Sequence, residues 1–283
     1  MDLGAHVSTA GGISKAVERA QEIGAETIQI FASSPRAWAF KPLSEDHILA
    51  FREAAEEAGI RSTFIHALYL VNVGGAPDLV EKSVAALGQN MHAAGQIGAE
   101  GVIFHSGSHK GVGFDAVLDQ AADALTRVLA DGPPDVQLII ENCAGMGAQI
   151  GASFAELGRL VKAIDHPRLK ICLDTEHAFA AGYNIADPDG IEGAMAEFDK
   201  EIGLDRLVVV HANDAKVELG SGLDRHENIG EGNIGLAGFE TIMAHPAFQD
   251  LPFLLEVPGE DKKGPDKANL DRLKEIRQRL AGA

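Results

Sequence analysis

Short apolar runs recur along this chain and alternate with longer stretches whose apolar residues return every three or four positions, as strands and helices taken in turn would. Eight runs read as strands: Leu3–His6, Thr27–Ala32, Thr63–His66, Gly101–His105, Gln137–Glu141, Lys170–Asp174, Leu207–His211 and Phe253–Glu256. They are apolar at successive positions, as parallel strands covered on both faces require. The stretches Ile13–Ile23, Glu45–Ala58, Leu79–Gly98, Phe114–Ala130, Phe154–Ile164 and Ala194–Ile202 predict amphipathic helices, followed by Leu236–His245 and Ala268–Leu280. Gly24, Gly59 and Gly98 stand where helices should stop, and Pro167 blocks another from continuing. Eight strand–helix pairs without a linker predict a single (β/α)₈ TIM barrel over residues 1–283, its active site at the C-terminal ends of the strands. An open, doubly wound sheet is the competing arrangement. No Gly-rich phosphate fingerprint follows the first run, however, and Gly11 and Gly12 mark only a turn.

Composition narrows the class. Hydrophobic residues make up 46% of the 283 residues, an ordinary globular share. No run approaches the roughly 18 apolar residues of a membrane span, and the first residues lack the basic start and apolar segment of a secretory signal. Two cysteines, Cys143 and Cys172, are too few for a disulfide framework and are expected to be reduced thiols in a cytoplasmic protein. The formal charge of −18, from 24 Lys and Arg against 42 Asp and Glu, argues by itself against a nucleic-acid partner, which is ordinarily met by a basic face.

The last residues of runs three to eight change that picture. They are His66, His105, Glu141, Asp174, His211 and Glu256, every one a metal-ligand type. These types make up about a fifth of the chain, so six in six fixed positions is a chance of roughly four in a hundred thousand, or roughly one in a hundred if each end floats over three positions. His177 follows Asp174 by about one helical turn. Asp224 and His226 face the same way if their segment is extended. Nine donors (five His, two Asp, two Glu) are too many for one ion and suit three, with one carboxylate shared. Imidazole and carboxylate without thiolate favour Zn²⁺, with Mn²⁺ or Fe²⁺ as alternatives at one or more positions; Mg²⁺ prefers oxygen alone. Strand ends alone therefore point to a multi-metal hydrolase.

At these residues the chain resembles the endonuclease IV family of abasic-site endonucleases, within the xylose-isomerase-like barrel superfamily. The likeness covers nearly the whole chain: GAHVS at Gly4, FHSGSH at Phe104, IENCAGMG at Ile140, CLDTEHAFAAGY at Cys172, HANDAK at His211 and DRHENIGEGNIG at Asp224. The resemblance implies three Zn²⁺ per chain: one on His66, His105 and Glu141, a second on Glu141, Asp174, His211 and Glu256, a third on His177, Asp224 and His226. It implies hydrolysis of DNA 5′ to an abasic deoxyribose, giving a 3′-hydroxyl and a 5′-deoxyribose phosphate, with repair of blocked 3′ ends, in base excision repair. Glu141 and Glu256 are then the catalytic carboxylates, Glu141 as a bridge and Glu256 also as an orienter of water. Neighbouring divalent ions make water nucleophilic at neutral pH, so no Ser or Cys nucleophile is required. Arg36, Tyr69 and Leu70 occupy the positions from which the family inserts side chains into DNA; a wedge that unstacks the duplex works most cheaply where a base is already missing.

The implied partner is double-stranded DNA with abasic sites or blocked 3′ ends, bound by a monomer without a membrane. Leu68 stands where the family usually has Ser, Val257 where it often has Thr, and Ser106–Gly113 is a short loop; these departures bear on substrate preference, not on a ligand. Three divalent ions would turn the four ligand carboxylates' charge into a local +2 and leave the loaded protein at about −12. A cationic rim is expected from Arg36, Lys110, Lys216, Arg225, Lys262 and Lys263.

Other polar residues carry plainer expectations. His47, His92, His166 and His245 read as solvated or hydrogen-bonded. His6 should hold a ligand in place, and His109 either does so or meets phosphate. Glu176 should face solvent and Cys172 should be a packed thiol. Asp214, Lys216 and Arg225 either touch phosphate or brace their loop. Two rival functions stand beside the nuclease. A sugar isomerase or epimerase on a related barrel would use Glu141, Asp174, His211 and Glu256 and leave the other five donors surplus. A non-catalytic metal- or damaged-DNA-binding protein is the second rival.

Overall fold

A computed structural model describes residues 1–282. Eight strands, β1 (Asp2–His6), β2 (Thr27–Phe31), β3 (Thr63–His66), β4 (Gly101–His105), β5 (Gln137–Glu141), β6 (Leu169–Asp174), β7 (Leu207–His211) and β10 (Pro252–Leu255), are parallel. They close into a barrel in the order β1-β10-β7-β6-β5-β4-β3-β2, while two short strands, β8 (Asp214–Ala215) and β9 (His226–Glu227), pair with each other outside it. Helices α1 (Lys15–Ile23), α2 (Glu45–Glu57), α3 (Pro77–Ile97), α4 (Leu118–Asp131), α5 (Phe154–Ile164), α6 (Thr175–Ala181), α7 (Pro188–Glu201), α8 (Gly235–Ala244) and α9 (Lys267–Ala281) alternate with the strands. The (β/α)₈ expectation holds, and the open sheet is excluded by the β1–β10 pairing.

Two apolar layers follow from the pleat. Phe64, Ile103, Ile139, Cys172, Val209 and Leu254 fill the inside of the barrel. The alternate residues, such as Ile65, Val102, Phe104, Leu138, Ile140, Ile171 and Leu173, face the helices in a separate, larger core. Successive strand residues point to opposite faces. Gly4 pairs with Thr27 where β1 and β2 come closest, and a Cβ there would collide with the Thr27 carbonyl. Only glycine permits that approach.

The end of the chain is clasped to its beginning. Arg277 of α9 donates to both Glu26 carboxylate oxygens, at 2.6 and 2.8 Å, and to the Met1 carbonyl at 3.0 Å. Glu26 also accepts the Leu3 amide at 2.9 Å. Burial works against its charged form, but the Arg277 guanidinium outweighs it and holds the Glu26 carboxyl below the ordinary range.

The structure departs from the sequence expectations in three places. The stretch Phe114–Ala130 is a 3₁₀ turn, Phe114–Ala116, followed by α4. Two helices, not one, follow β6. The seven residues of α6 are nearly all buried, so they show no amphipathic stripe, and α7 starts at Pro188, six residues before the periodicity becomes visible. Finally, β10 ends at Leu255, so Glu256 stands just beyond its strand. Among the described residues no helix is long and apolar enough to cross a membrane.

Candidate metal centre

Six chemically active side chains each stand two residues beyond an apolar residue of the barrel's interior. Phe64 precedes His66, Ile103 precedes His105, and Ile139, Cys172, Val209 and Leu254 precede Glu141, Asp174, His211 and Glu256. A step of two keeps a side chain on the same face. The six therefore form the next layer inward, at the C-terminal mouth. On the two remaining strands the same layer holds His6 and Gln29, the latter two residues after Gly4's partner Thr27.

Within this layer the donor atoms converge. His66 Nε2 lies 3.2 Å and His105 Nε2 3.5 Å from Glu141 Oε2. His211 Nδ1 lies 3.2 Å from Glu141 Oε1, 3.3 Å from Glu256 Oε2 and 3.8 Å from Asp174 Oδ2. The His66, His105, Glu141 set and the Glu141, Asp174, His211, Glu256 set each place one donor atom per residue within 4.8 Å of the others. Glu141 belongs to both.

Hydrogen bonds fix which nitrogen faces inward. The His66 Nδ1–H donates to the Ala67 carbonyl at 2.7 Å, leaving Nε2 toward Glu141. Gln29 Nε2 donates to Glu256 Oε1 at 2.6 Å, so its Oε1 must accept the His211 Nε2–H at 2.8 Å. His211 Nδ1 is thereby bare toward the carboxylates. His6 Nδ1 sits 2.8 Å from Gln29 Nε2 and 3.3 Å from Glu256, the ligand-holding position expected of it.

Four buried atoms in this cluster have no hydrogen-bond partner among the described residues: Glu141 Oε1, Glu176 Oε2, His211 Nδ1 and His226 Nε2. Each such orphan costs about 1–3 kcal/mol. Unpaired oxygens facing bare imidazole nitrogens at 3–4 Å are what divalent ions between them would satisfy. The residues fit the metal that the sequence implied.

Electrostatics agree. Burial alone would neutralise Glu141, but the His105 and His211 imidazoles outweigh it and hold the carboxyl well below its usual range. Glu256 is depressed in the same way, burial being overcome first by His211 and then by its bond to His6. Burial opposes protonation of His66, His177 and His211, yet neighbouring carboxylates raise all three: Glu141 and Glu256 for His66, Asp174 for His177, and Glu256 with Glu141 for His211. Burial pushes the Cys172 thiol to about 12, as befits a packed core group.

The third group is assembled by α6 and by a hairpin. Asp174 ends β6 and also caps α6, accepting the His177 amide at 3.0 Å. Asn142 holds both neighbours: its Oδ1 accepts the Asp174 amide at 2.6 Å, and its carbonyl accepts the His177 Nδ1–H at 2.9 Å. Beyond β7, strand β8 (Asp214–Ala215) pairs antiparallel with β9 (His226–Glu227) and returns the chain over the mouth. The segment that leaves β9 is pinned by Asp214, whose carboxylate accepts amides from Ala215, Gly230, Gly232, Ile234 and Gly235. Of its two expected roles, Asp214 therefore has the bracing one. Asp224 then comes within 3.4 Å of His177 Nε2 and 3.6 Å of His226 Nε2. Its carboxyl falls to about 2, because His177 outweighs the cost of burial.

Glu176 is the clear correction. It was expected in solvent, but it is fully buried, accepts the Arg225 amide at 2.9 Å, and clusters with Asp174, His177 and His226. Helix α6 packs against the hairpin and covers it, which a strand-to-helix step does not reveal. Gln29, Asn142 and Asn213 were missed. Asn213 donates to Asp174 Oδ2 at 2.8 Å and accepts the Glu256 amide at 2.8 Å. The available signal was Gln29's position between Ile28 and Ile30, a lone amide inside an apolar strand.

The rim is more mixed than expected. The Tyr69 amide donates to the Pro35 carbonyl at 3.0 Å, which sets the Arg36 loop beside Tyr69 and Leu70. Arg36 and Tyr69 are exposed, and the Tyr69 ring leans on Phe31 and His66 at 5.5 and 5.7 Å. Partial desolvation against those rings, together with the site's carboxylates, raises its hydroxyl to about 12. A cleft of about 650 Å³ runs from here to Glu256 and His226, with Lys262 on its wall. Two expected rim cations are paired instead, Lys216 with Glu227 at 3.3 Å and Lys263 with Asp261 at 3.5 Å. His109 accepts the Gly113 amide at 3.0 Å, inside its own loop.

Comparison with known proteins gives consistent matches. The family model described as "Xylose isomerase-like TIM barrel" matches residues 17–279. A protein named probable endonuclease 4 from Chloroflexus aurantiacus is 40% identical over 278 residues, covering 97% of this chain and 98% of that one. Its namesake from Methanoculleus marisnigri is 42% identical over 285 residues, 99% of each. The crystal structure of endonuclease IV from Thermus thermophilus matches with a TM-score of 0.86 at 36% identity, over 100% of both chains. A D-tagatose 3-epimerase-like protein matches at a TM-score of 0.74 and 20% identity, over 100% of this chain and 97% of that one, a likeness of fold alone.

Proposed function

The chain belongs to the xylose isomerase-like TIM barrel family and, within it, to the endonuclease IV family, and from that premise we propose that it is a zinc-dependent endonuclease cutting DNA 5′ to abasic sites and clearing blocked 3′ ends as a cytoplasmic monomer. The observation that carries this reading is the surplus of donors. Glu141, Asp174, His211 and Glu256 would suffice for a sugar epimerase, yet His66, His105, His177, Asp224 and His226 converge on the same mouth. Three ions use all nine.

Bound divalent ions there supply a nucleophile from water at neutral pH and neutralise the charge that develops on phosphate. The protein's own side chains prepare the site. Glu141 joins two donor sets and Glu256 stands half-buried at the cleft, where it can orient water. Gln29 keeps His211 in one tautomer, and Asn142 does so for His177. Arg36, Tyr69 and Leu70, on loops joined by the Tyr69–Pro35 hydrogen bond, are the side chains that would enter a duplex already weakened by a missing base. A 5′-labelled duplex with one abasic site tests the reading. The expected product ends in a 3′-hydroxyl immediately 5′ to the lesion; epimerisation of a free keto sugar with the duplex left whole would overturn it.

A further inference from the structure

One carboxylate of the cluster has no part in the nine-donor set. Glu176 lies between Thr175 and His177 on α6 and is fully buried. Its two oxygens differ. Oε1 accepts the amide of Arg225, the residue between Asp224 and His226, at 2.9 Å. Oε2 has no hydrogen-bond partner among the described residues and lies 3.9 Å from His177 Nε2. His226 Nε2 is likewise unpaired, and one donor atom from each of Asp174, Glu176, His177 and His226 falls within 4.8 Å of the rest.

We propose that Glu176 is a protein ligand of the third ion, joining His177, Asp224 and His226, while its other oxygen fixes the strand segment that carries two of those ligands. The inference rests on the three-ion reading above. An unpaired carboxylate oxygen and an unpaired imidazole nitrogen buried in one cluster are each costly, and a cation held by both residues relieves both. The two carboxylates of the enlarged set match the charge of one divalent ion. The added oxygen also moves the position's preference toward Mn²⁺, compared with two imidazoles and one carboxylate.

Chelator-buffered zinc titration of the full chain, with bound metal counted by elemental analysis, tests the assignment. Wild-type protein is expected to hold three ions. Glu176→Gln keeps an acceptor for the Arg225 amide and the side-chain volume but loses the charge. Its third ion should need roughly tenfold more free zinc or higher, with the other two unchanged. Glu176→Asp, charged but one methylene shorter, should fall between the two and guards against a Gln variant that fails to fold. Three ions retained by Glu176→Gln at wild-type affinity would overturn the assignment while leaving the three-ion reading intact. About one ion in the wild-type protein would instead remove the three-ion reading itself.

Discussion

Gln29 sits where three functional groups meet: it donates to Glu256, neighbours His6 and accepts from His211. Without its carbonyl, nothing selects the His211 tautomer that leaves Nδ1 bare. Gln29→Leu should therefore weaken zinc retention and slow incision by about 10–100-fold, with the melting temperature of the metal-free chain altered far less. Parallel zinc titrations and single-turnover rates would check this; equal rates would show that the amide is passive. Tyr69 makes the opposite case. It is 55% exposed, so Tyr69→Ala should change stability by no more than about 0.5 kcal/mol. Its effect should appear as a raised KM on abasic duplex, measured beside thermal melts. At this scale the sequence was legible where residue type and strand period coincide, as at His66, His105 and Glu141. It misread Glu176 as solvent-facing and passed over Asn213, because both roles depend on contacts between segments about 40 to 50 residues apart in the chain.

Elements were legible in proportion to their periodicity. Strands β3, β4, β5 and β7 start and end where their apolar runs do, because a run buried on both faces stops where the chain emerges. Helix α6 was invisible since burial on all sides erases the amphipathic stripe. The β8–β9 hairpin was invisible because two-residue strands carry no pattern; it pairs Asp214 with Glu227 and Ala215 with His226, and Asp214 holds the segment that follows β9 through Gly230 and Gly232. The clasp between α9 and the chain's start yields a prediction of its own. Glu26 has a folded pKa depressed below 4.5, so its contribution to stability is present above that pH and fades as pH falls through the folded value. Glu26→Gln should cost about 1–2 kcal/mol at neutral pH. Denaturant melts should show that gap closing in acid; a gap independent of pH would mean that the ion pair contributes nothing.

Across the whole molecule the tension is between an acidic chain and a polyanionic partner. The net charge is −18, and some of the rim's cations are already paired with acids. Few phosphates can then be neutralised by Lys or Arg, so binding to undamaged duplex should be weak with a shallow dependence on salt. A steep log–log salt slope for intact DNA would contradict this and reveal a basic face. On the proposed reading, recognition comes instead from the metal-binding mouth, which the strand ends disclosed, and from the wedge at its edge, which only the family resemblance implied.

The most direct measurement is incision of a defined abasic duplex by the zinc-replete chain, run beside Glu141→Gln. Glu141 joins two donor sets, so the variant should lose incision by a factor on the order of 10³ or more while staying folded and still binding the duplex. A wild-type chain that binds the lesion but never cuts it, or a variant that cuts at the wild-type rate, would contradict the account.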